Sequence, residues 1–234
     1  RNANIRCWGG TLMENEGGNL VKDYKDLAFM GFVEVLIHIK TIIRNISFCK
    51  KDLIKFDPDV IIYIDYPGFN LRIAKWAKKR GYKNHYYISP QIWAWKEDRI
   101  VEIKKNIDAL YVILPFEKEY YQERHNYKVH FVGHPLLETI KEENTSSDFY
   151  KKNKISKKLP LIAMLPGSRK QEIKRMIYTF IETSKRFLNF RFIIAAAPGI
   201  EINWYQKYLK NTDILVVKNQ TYELLKASKA AVVS

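Results

Sequence analysis

Residues 58–70 read Pro-Asp-Val-Ile-Ile-Tyr-Ile-Asp-Tyr-Pro-Gly-Phe-Asn, and this stretch decides the fold class. Val60–Ile64 is a run of β-branched and aromatic residues too short for a helix. That is the pattern of a strand buried on both faces of a parallel sheet. Tyr66-Pro67-Gly68 breaks the backbone, helical spacing resumes over 71–80, and Gly81 stops it. In open α/β sheets, ligands gather outside the carboxyl ends of the strands, and Asp65 is delivered there. Two readings of Asp65 stand side by side. It is a carboxylate placed for chemistry, or it caps the turn or the following helix, where Asp is common.

On the N-terminal side, residues 5–8 read as a short strand feeding Gly9-Gly10, and Gly17-Gly18 marks the next turn. Phe32, Leu36, Ile39, Ile43 and Ile46 recur at helical spacing among Lys40, Arg44, Lys50 and Lys51. This predicts an amphipathic helix packed on the sheet. A basic amphipathic helix can also lie on a membrane surface, and the apolar segment 27–31 directly precedes this one.

On the C-terminal side, strands are expected at 85–88, 110–114 and 129–132, with helices at 96–106 and 116–124, and Gly133-His134-Pro135 closes the series. Such alternation argues for βαβ units and a parallel sheet. Residues 141–159 are polar and lack apolar periodicity, the composition of a linker. A second series follows, with strands at 161–165, 191–196, 214–217 and 230–233 and helices at 171–188, near 204–209 and at 222–227. Ile173, Met176, Ile177, Phe180, Ile181, Ser184 and Phe187 form the buried stripe expected of the long helix. The reading is therefore α/β, with two Rossmann-like domains, 1–140 and 160–234, joined by a linker at 141–159 and separated by a cleft.

The 234 residues suffice for one large or two modest domains. No run of 18 apolar residues is present, so no span of a bilayer is expected. The first four residues hold no apolar core of a secretory signal. Cys7 and Cys49 fit neither a disulfide framework nor a zinc pattern, as suits a reducing cytoplasm. The net charge is +15; 22 Lys and Arg face 17 Asp and Glu up to residue 140, and 18 face 8 beyond it. Such an excess suits nucleic acid, an anionic membrane or a phosphorylated ligand. Against RNA, no aromatic–Gly-rich RNP-like segment or basic helix cluster is present.

Leu165-Pro166-Gly167-Ser168-Arg169 is a second chemical focus, turning from strand to helix. Backbone N–H groups and the positive helix end should face a ligand there, with Ser168 capping the helix and Arg169 offering a planar fork to phosphate oxygens. Neither a Walker A loop nor a Gly-x-Gly-x-x-Gly turn is present, and Pro-Gly-Ser is also an ordinary turn. Trp93 and Trp95 can line a substrate region, but aromatics beside a sheet are more often core, the reading preferred here. His38, His85, His125 and His130 form no convincing ligand set, and no metal site is expected. His134 draws interest because Gly-His-Pro lies at the inferred hinge.

The segments 27–36 (LAFMGFVEVL), 65–70 (DYPGFN), 89–96 (SPQIWAWK), 114–118 (LPFEK), 133–135 (GHP) and 165–169 (LPGSR) occur together and in order. In this ordered set the chain, from Asn2 to Ser234, resembles the lipid-A-disaccharide synthases, a family of inverting glycosyltransferases. The resemblance implies a GT-B-like architecture. It implies transfer of 2,3-diacylglucosamine from its UDP ester to the 6-hydroxyl of 2,3-diacylglucosamine 1-phosphate (lipid X), giving a β-1,6-linked disaccharide 1-phosphate. Asp65 would be the catalytic base and Arg169 the diphosphate-stabilising catalytic residue. Gly167, Ser168, Arg169 and Glu172 would bind the UDP-sugar, although Glu172 can simply complement the helix dipole. Met30, Tyr66, Asn70, Ser89, Trp93 and His134 are acceptor-side candidates. No cofactor and no divalent metal is implied.

The partners implied are the two lipid-linked sugars and the cytoplasmic face of the inner membrane of a Gram-negative-type bacterium. No nucleic acid is expected, and a homodimer is left open. Relatives begin with a further strand and a Gly/Ser-rich loop and continue into a Ser-Gly-Thr loop. The resemblance thus implies an internal fragment truncated at both ends, with the strands near 5–8 and 230–233 lacking neighbours. Gly68 stands where many relatives carry a second Asp, leaving Asp65 as the loop's only carboxylate. Open alternatives are another UDP-sugar transferase or epimerase of this architecture, or a non-enzymatic basic protein binding membrane or RNA.

Overall fold

The computed structural model describes residues 3–24, 39–142 and 149–234. They form two compact units, Arg1–Pro135 and Leu136–Ser234. The first opens with β1 (Arg6–Gly9), the short helix α1 (Thr11–Asn15) and β2 (Asn19–Asp23), the two strands pairing in parallel. The strand expected at 5–8 thus has a neighbour. The long helix α2 (Ile39–Phe56) leads to the four-stranded sheet of this unit.

That sheet carries out the βαβ reading. It runs β3 (Val60–Ile64), α3 (Pro67–Lys78), β4 (Lys83–Tyr87), α4 (Arg99–Asn106), β5 (Ala109–Val112), α5 (Pro115–Glu119) and β6 (His130–Phe131). A π-helical turn, Tyr120–Arg124, follows α5. Strand order is β3-β4-β5-β6 and each pairing is parallel. Ile64, Tyr87, Tyr111 and His130 therefore line up across the sheet. Pro67 sits in the first turn of α3, where its fixed φ suits the helix and its missing N–H costs nothing. Gly81, at φ +85°, follows the helix end in a conformation that a side chain would strain.

One face of this sheet is packed. Tyr63, Tyr86, Leu110 and Val112 meet Phe69, Ile73 and Ala74 of α3 and Ile100 and Ile103 of α4. The other face differs from expectation: Val60, Ile62 and Ile64 are 38%, 60% and 44% exposed, so β3 is not buried on both sides.

Helix α2 also turns differently. Ile43, expected in the buried stripe, is exposed, while Asn45, Cys49 and Asp52 point inward; Phe32 and Leu36 lie outside the described residues. The reason is an ionic anchor. Asp52 accepts hydrogen bonds from Arg6 Nε at 3.0 Å and Trp8 Nε1 at 3.1 Å, tying α2 to β1. A carboxylate removed from water needs such partners, and they set the rotation of the helix.

In the second unit, α6 (Leu136–Glu142) and α7 (Phe149–Lys152) precede β7 (Leu161–Leu165), α8 (Lys170–Arg186), β8 (Arg191–Ala196), α9 (Ile202–Gln206), β9 (Leu215–Lys218), α10 (Thr221–Ala227) and β10 (Ser228–Val233). The order is β10-β7-β8-β9, all parallel, so β10 pairs with β7 along one side. This sheet is covered on both faces. Met164, Ile194 and Ala196 pack on Ile173, Ile177, Phe180 and Ile181 of α8. Leu161, Ala163, Ile193 and Val217 pack with Leu224, Phe149 and Ile155. The division at Pro135 falls before the expected linker, and Phe149 and Ile155 from that stretch are core of the second unit. Phe187, expected in the stripe of α8, is exposed beyond its last turn.

Burial works against the charge of Asp52, yet the bonds from Arg6 and Trp8 hold its carboxyl below the usual range. A depressed carboxyl contributes stability above the unfolded-state value near 4, and that contribution is lost as pH falls through the folded value. Asp52→Asn should therefore lower stability at pH 7 by about 2 kcal/mol. In urea unfolding the gap from wild type should shrink at pH 3; an equal gap at both pH values would rule out the ionic anchor.

Candidate active site

Because all strands of the first sheet are parallel, every βα turn leaves it on the same edge. The turn after β3 carries Asp65 and Tyr66, with Asn70 in the first turn of α3; that after β4 carries Ser89, Trp93 and Trp95; that after β5 starts at Leu114; and His134 follows β6. Four of the five described motif segments that carry the resemblance thus lie along one edge of the first sheet, and the fifth follows β7 in the second unit. Met30 lies outside the described residues.

Asp65 sits in a strained corner. Asp65 and Tyr66 are successive non-glycine residues in the left-handed region, at φ 44° and 46°. Ile88 and Lys96, in the turn after β4, are left-handed too, at φ 59° and 54°. Each such residue costs on the order of 1–2 kcal/mol and persists only where its surroundings impose it. Here the surroundings do so. The Asp65 N–H donates to the Tyr87 carbonyl at 3.0 Å, continuing the sheet ladder one residue. The Asp65 carbonyl accepts from the Tyr86 hydroxyl at 2.6 Å and from Asn70 Nδ2 at 2.6 Å, and Asn70 Nδ2 also reaches the Ile64 carbonyl at 3.1 Å.

Both backbone groups of Asp65 are committed, and its exposed carboxylate accepts no hydrogen bond among the described residues. The cap of α3 is Tyr66, with no side-chain cap bond, so Asp65 does not cap that helix. Burial raises the pKa of the Tyr86 hydroxyl far above its ordinary value, and the nearby Asp65 charge adds to this, against Asn70 and Arg99. Tyr86 therefore stays a neutral donor. It is a buried strand residue with nothing in its spacing to single it out, and sequence reasoning missed it.

The other candidates divide. Asn70 and Tyr66 belong to the Asp65 corner, Tyr66 stacking on Phe69 at 6.1 Å. Ser89 is buried: its hydroxyl shares a 2.5 Å bond with Tyr121 and another with the Pro90 carbonyl, so it braces the loop from within. The tryptophans are not core. Trp93 is 38% exposed, edge-on to the exposed Phe116 at 5.1 Å, and Trp95 is 58% exposed. A loop this short cannot bury two indoles once Ile92 fills the space beneath it. His134 is half-buried, one residue after Gly133 at φ +83°.

In the second unit, Gly167, Ser168, Arg169 and Glu172 do come together, though not as an open anion cradle. The Ser168 and Arg169 N–H groups both donate to Glu172 Oε2 at 3.2 Å, and Arg169 Nη1 donates to Oε1 at 3.0 Å. Ser168 makes no cap, and Glu172 supplies the capping charge from the third helical position. Gly167, at φ +104°, is required for this closure, since a Cβ there would meet Glu172 Oε2 at 2.8 Å. An incoming anion must displace Glu172. The same device starts α5, where Glu117, 1% exposed, accepts from the Ile113 and Leu114 N–H groups at 3.1 and 2.8 Å.

The fold is GT-B-like, shared with solved UDP-GlcNAc 2-epimerases. UDP-GlcNAc 2-epimerase from Neisseria meningitidis, solved with UDP-GlcNAc, aligns over 94% of this chain and 64% of its own, with TM-score 0.62 and 14% identity. The Methanocaldococcus jannaschii 2-epimerase aligns over 95% and 67%, with TM-score 0.54 and 13% identity. The family model described as lipid-A-disaccharide synthetase matches residues 1–234, and the chain belongs to that family.

Lipid-A-disaccharide synthase of Trichlorobacter lovleyi is 35% identical over 96% of this chain and 60% of its own length. Lipid-A-disaccharide synthase 1 of Legionella pneumophila is 37% identical over the whole chain and 62% of its own length, and the Coxiella burnetii synthase is 34% identical over 99% and 62%. The chain thus spans about three fifths of the length of these relatives.

If strain rather than capping describes Asp65, Asp65→Gly should raise stability by about 1 kcal/mol, because glycine adopts positive φ freely. Chemical denaturation measures this. A clear loss of stability would mean that the carboxylate holds the corner together.

Proposed function

We propose that this protein is an inverting glycosyltransferase of lipid A biosynthesis. It transfers 2,3-diacylglucosamine from its UDP ester to the 6-hydroxyl of 2,3-diacylglucosamine 1-phosphate and releases UDP. The observation that carries the reading is the family match along the entire chain, together with the Asp65 carboxylate, which accepts no hydrogen bond among the described residues, on the carboxyl edge of the first sheet. The epimerase alternative rests on fold likeness at 14% identity, which carries no reaction.

In the proposed reaction the acceptor O6 forms its bond to the anomeric carbon as the bond to the UDP oxygen breaks. Asp65 takes the O6 proton, the work of a general base. The charge growing on UDP is met by Arg169 and the N–H groups of Ser168 and Arg169 once Glu172 swings aside. The strained Asp65 corner supports this role, because Tyr86 and Asn70 hold the main chain and leave the carboxylate to the substrate. Gly167 and Glu172 are proposed to shape the UDP site, and Tyr66, Trp93 and His134 the acceptor side, with Ser89 acting only through the loop it braces.

No described helix is long and apolar enough to cross a membrane. Since both substrates carry acyl chains, the protein is proposed to work at the cytoplasmic face of the inner membrane, touching it through the apolar segment 27–36 outside the described residues.

In a full-length version, Asp65→Asn should leave folding intact and lower kcat by roughly 10²–10⁴-fold in disaccharide 1-phosphate formation from both purified substrates. Near-normal turnover in the folded variant would remove Asp65 from the chemistry. Arg169→Lys should fail to restore the UDP affinity lost in Arg169→Ala, because a planar fork is needed to grip a diphosphate from two sides. Calorimetric titration with UDP decides, and equal affinity in all three forms would discard Arg169 as a ligand.

A further inference from the structure

The end of the turn after β4 and the first residue of α4 hold two cations with no part in the proposed reaction. Lys96 Nζ lies 4.6 Å from the centre of the Trp95 ring and Arg99 Cζ lies 5.0 Å from it. Trp95 is exposed, and Lys96 is aimed by a left-handed backbone. Among the described residues neither cation has a carboxylate partner. Glu97, between them in sequence, is committed elsewhere, to Arg124 at 2.7 Å and the Tyr120 hydroxyl at 3.1 Å. Asp98, the N-cap residue of α4, makes no ion pair with either and no side-chain cap bond. As Lys50 and Arg80 lie against Trp76, so this pair is held by an indole. A ring face attracts a cation without neutralising it, so the two charges stay available to an anion.

Their position supplies the rest. Arg99 lies near enough to Tyr86 for its charge to act on the Tyr86 hydroxyl, and that hydroxyl holds the Asp65 carbonyl at 2.6 Å. Both cations therefore follow β4 on the edge where its parallel neighbour β3 delivers the proposed base. We propose that Arg99 and Lys96, preset by Trp95, bind the phosphate of a sugar 1-phosphate whose free hydroxyl faces Asp65. This deepens the transferase reading and rests on it for the identity of the sugar. The 1-phosphate and 6-hydroxyl of a hexosamine flank the ring oxygen on opposite sides, within one ring's width. Gripping the phosphate at Arg99 directs the 6-hydroxyl away from the cations and toward the carboxylate. The arrangement also keeps a dianion off Asp65 itself, where like charges would repel. Arg99 supplies two parallel N–H donors to phosphate oxygens and Lys96 a mobile point charge.

The test is binding to the 234-residue chain, followed by calorimetry or by Trp fluorescence, with glucosamine 1-phosphate, glucosamine and inorganic phosphate as probes. Glucosamine 1-phosphate should bind at least about tenfold more tightly than glucosamine, on the scale of charge-assisted hydrogen bonds. Arg99→Gln, which keeps most of the side-chain stem, and Lys96→Ala/Arg99→Ala should each erase that preference with the melting temperature unchanged. Arg169→Ala should leave it intact.

The proposal is overturned if the wild-type chain does not discriminate between the two sugars, or if both variants still do. It is equally overturned if Arg169→Ala abolishes the preference, which would place the phosphate in the second unit. Because binding is the readout, a failed disaccharide assay of a full-length version with this discrimination present would refute the transferase reading alone. A working assay without it would refute only the phosphate site.

Discussion

Parallel pairing is the constraint from which the rest of this structure follows. A parallel strand must be re-entered from the opposite end, so each connection crosses a face of the sheet and every βα turn emerges on one edge. Segments that are far apart in sequence, at 65–70, 89–96, 114–118 and 133–135, become neighbours for that reason alone. No attraction between them is needed. The same topology in the second unit delivers Gly167, Ser168 and Arg169 to the end of β7.

The Asp65 corner shows how such an edge can carry strain. Two consecutive left-handed residues are unfavourable, and the surrounding structure offsets them through hydrogen bonds that reach only the main chain. Tyr86 can do this because it is buried from the packed face of the sheet while its hydroxyl extends to the edge. The bonded backbone and the unbonded side chain are two sides of one arrangement. Stability is spent on holding an acidic group where water can reach it.

The helix starts after β5 and β7 solve a different problem by a shared means. Free N–H groups at a helix start invite an anion, and in both places a glutamate of the same chain answers first. At Glu117 the carboxylate is buried and the closure is structural. At Glu172 it is part-exposed and lies under a glycine, with Arg169 as its counter-ion.

The sequence by itself determined the fold class, because the alternation of short apolar runs with 3.6-residue periodicity is a local property. It placed β3, β7 and β8 to the residue and put Asp65 at a strand end. It also carried the family resemblance, since an ordered set of short motifs survives without any coordinates. Tertiary structure decided what local pattern cannot reach. The rotation of α2 was set by Asp52 meeting Arg6 and Trp8 more than forty residues away, against its own apolar stripe. Trp93 and Trp95 came out exposed and Ser89 buried because the space beneath their loop is already filled by Ile92 and Tyr121. The Ser168 and Arg169 N–H groups, open in the sequence reading, were taken by Glu172 once the helix turned its carboxylate back upon them. In each case the deciding interaction joins residues whose proximity exists only after the chain has folded, and hydrogen-bond and charge satisfaction there outweighs local propensity.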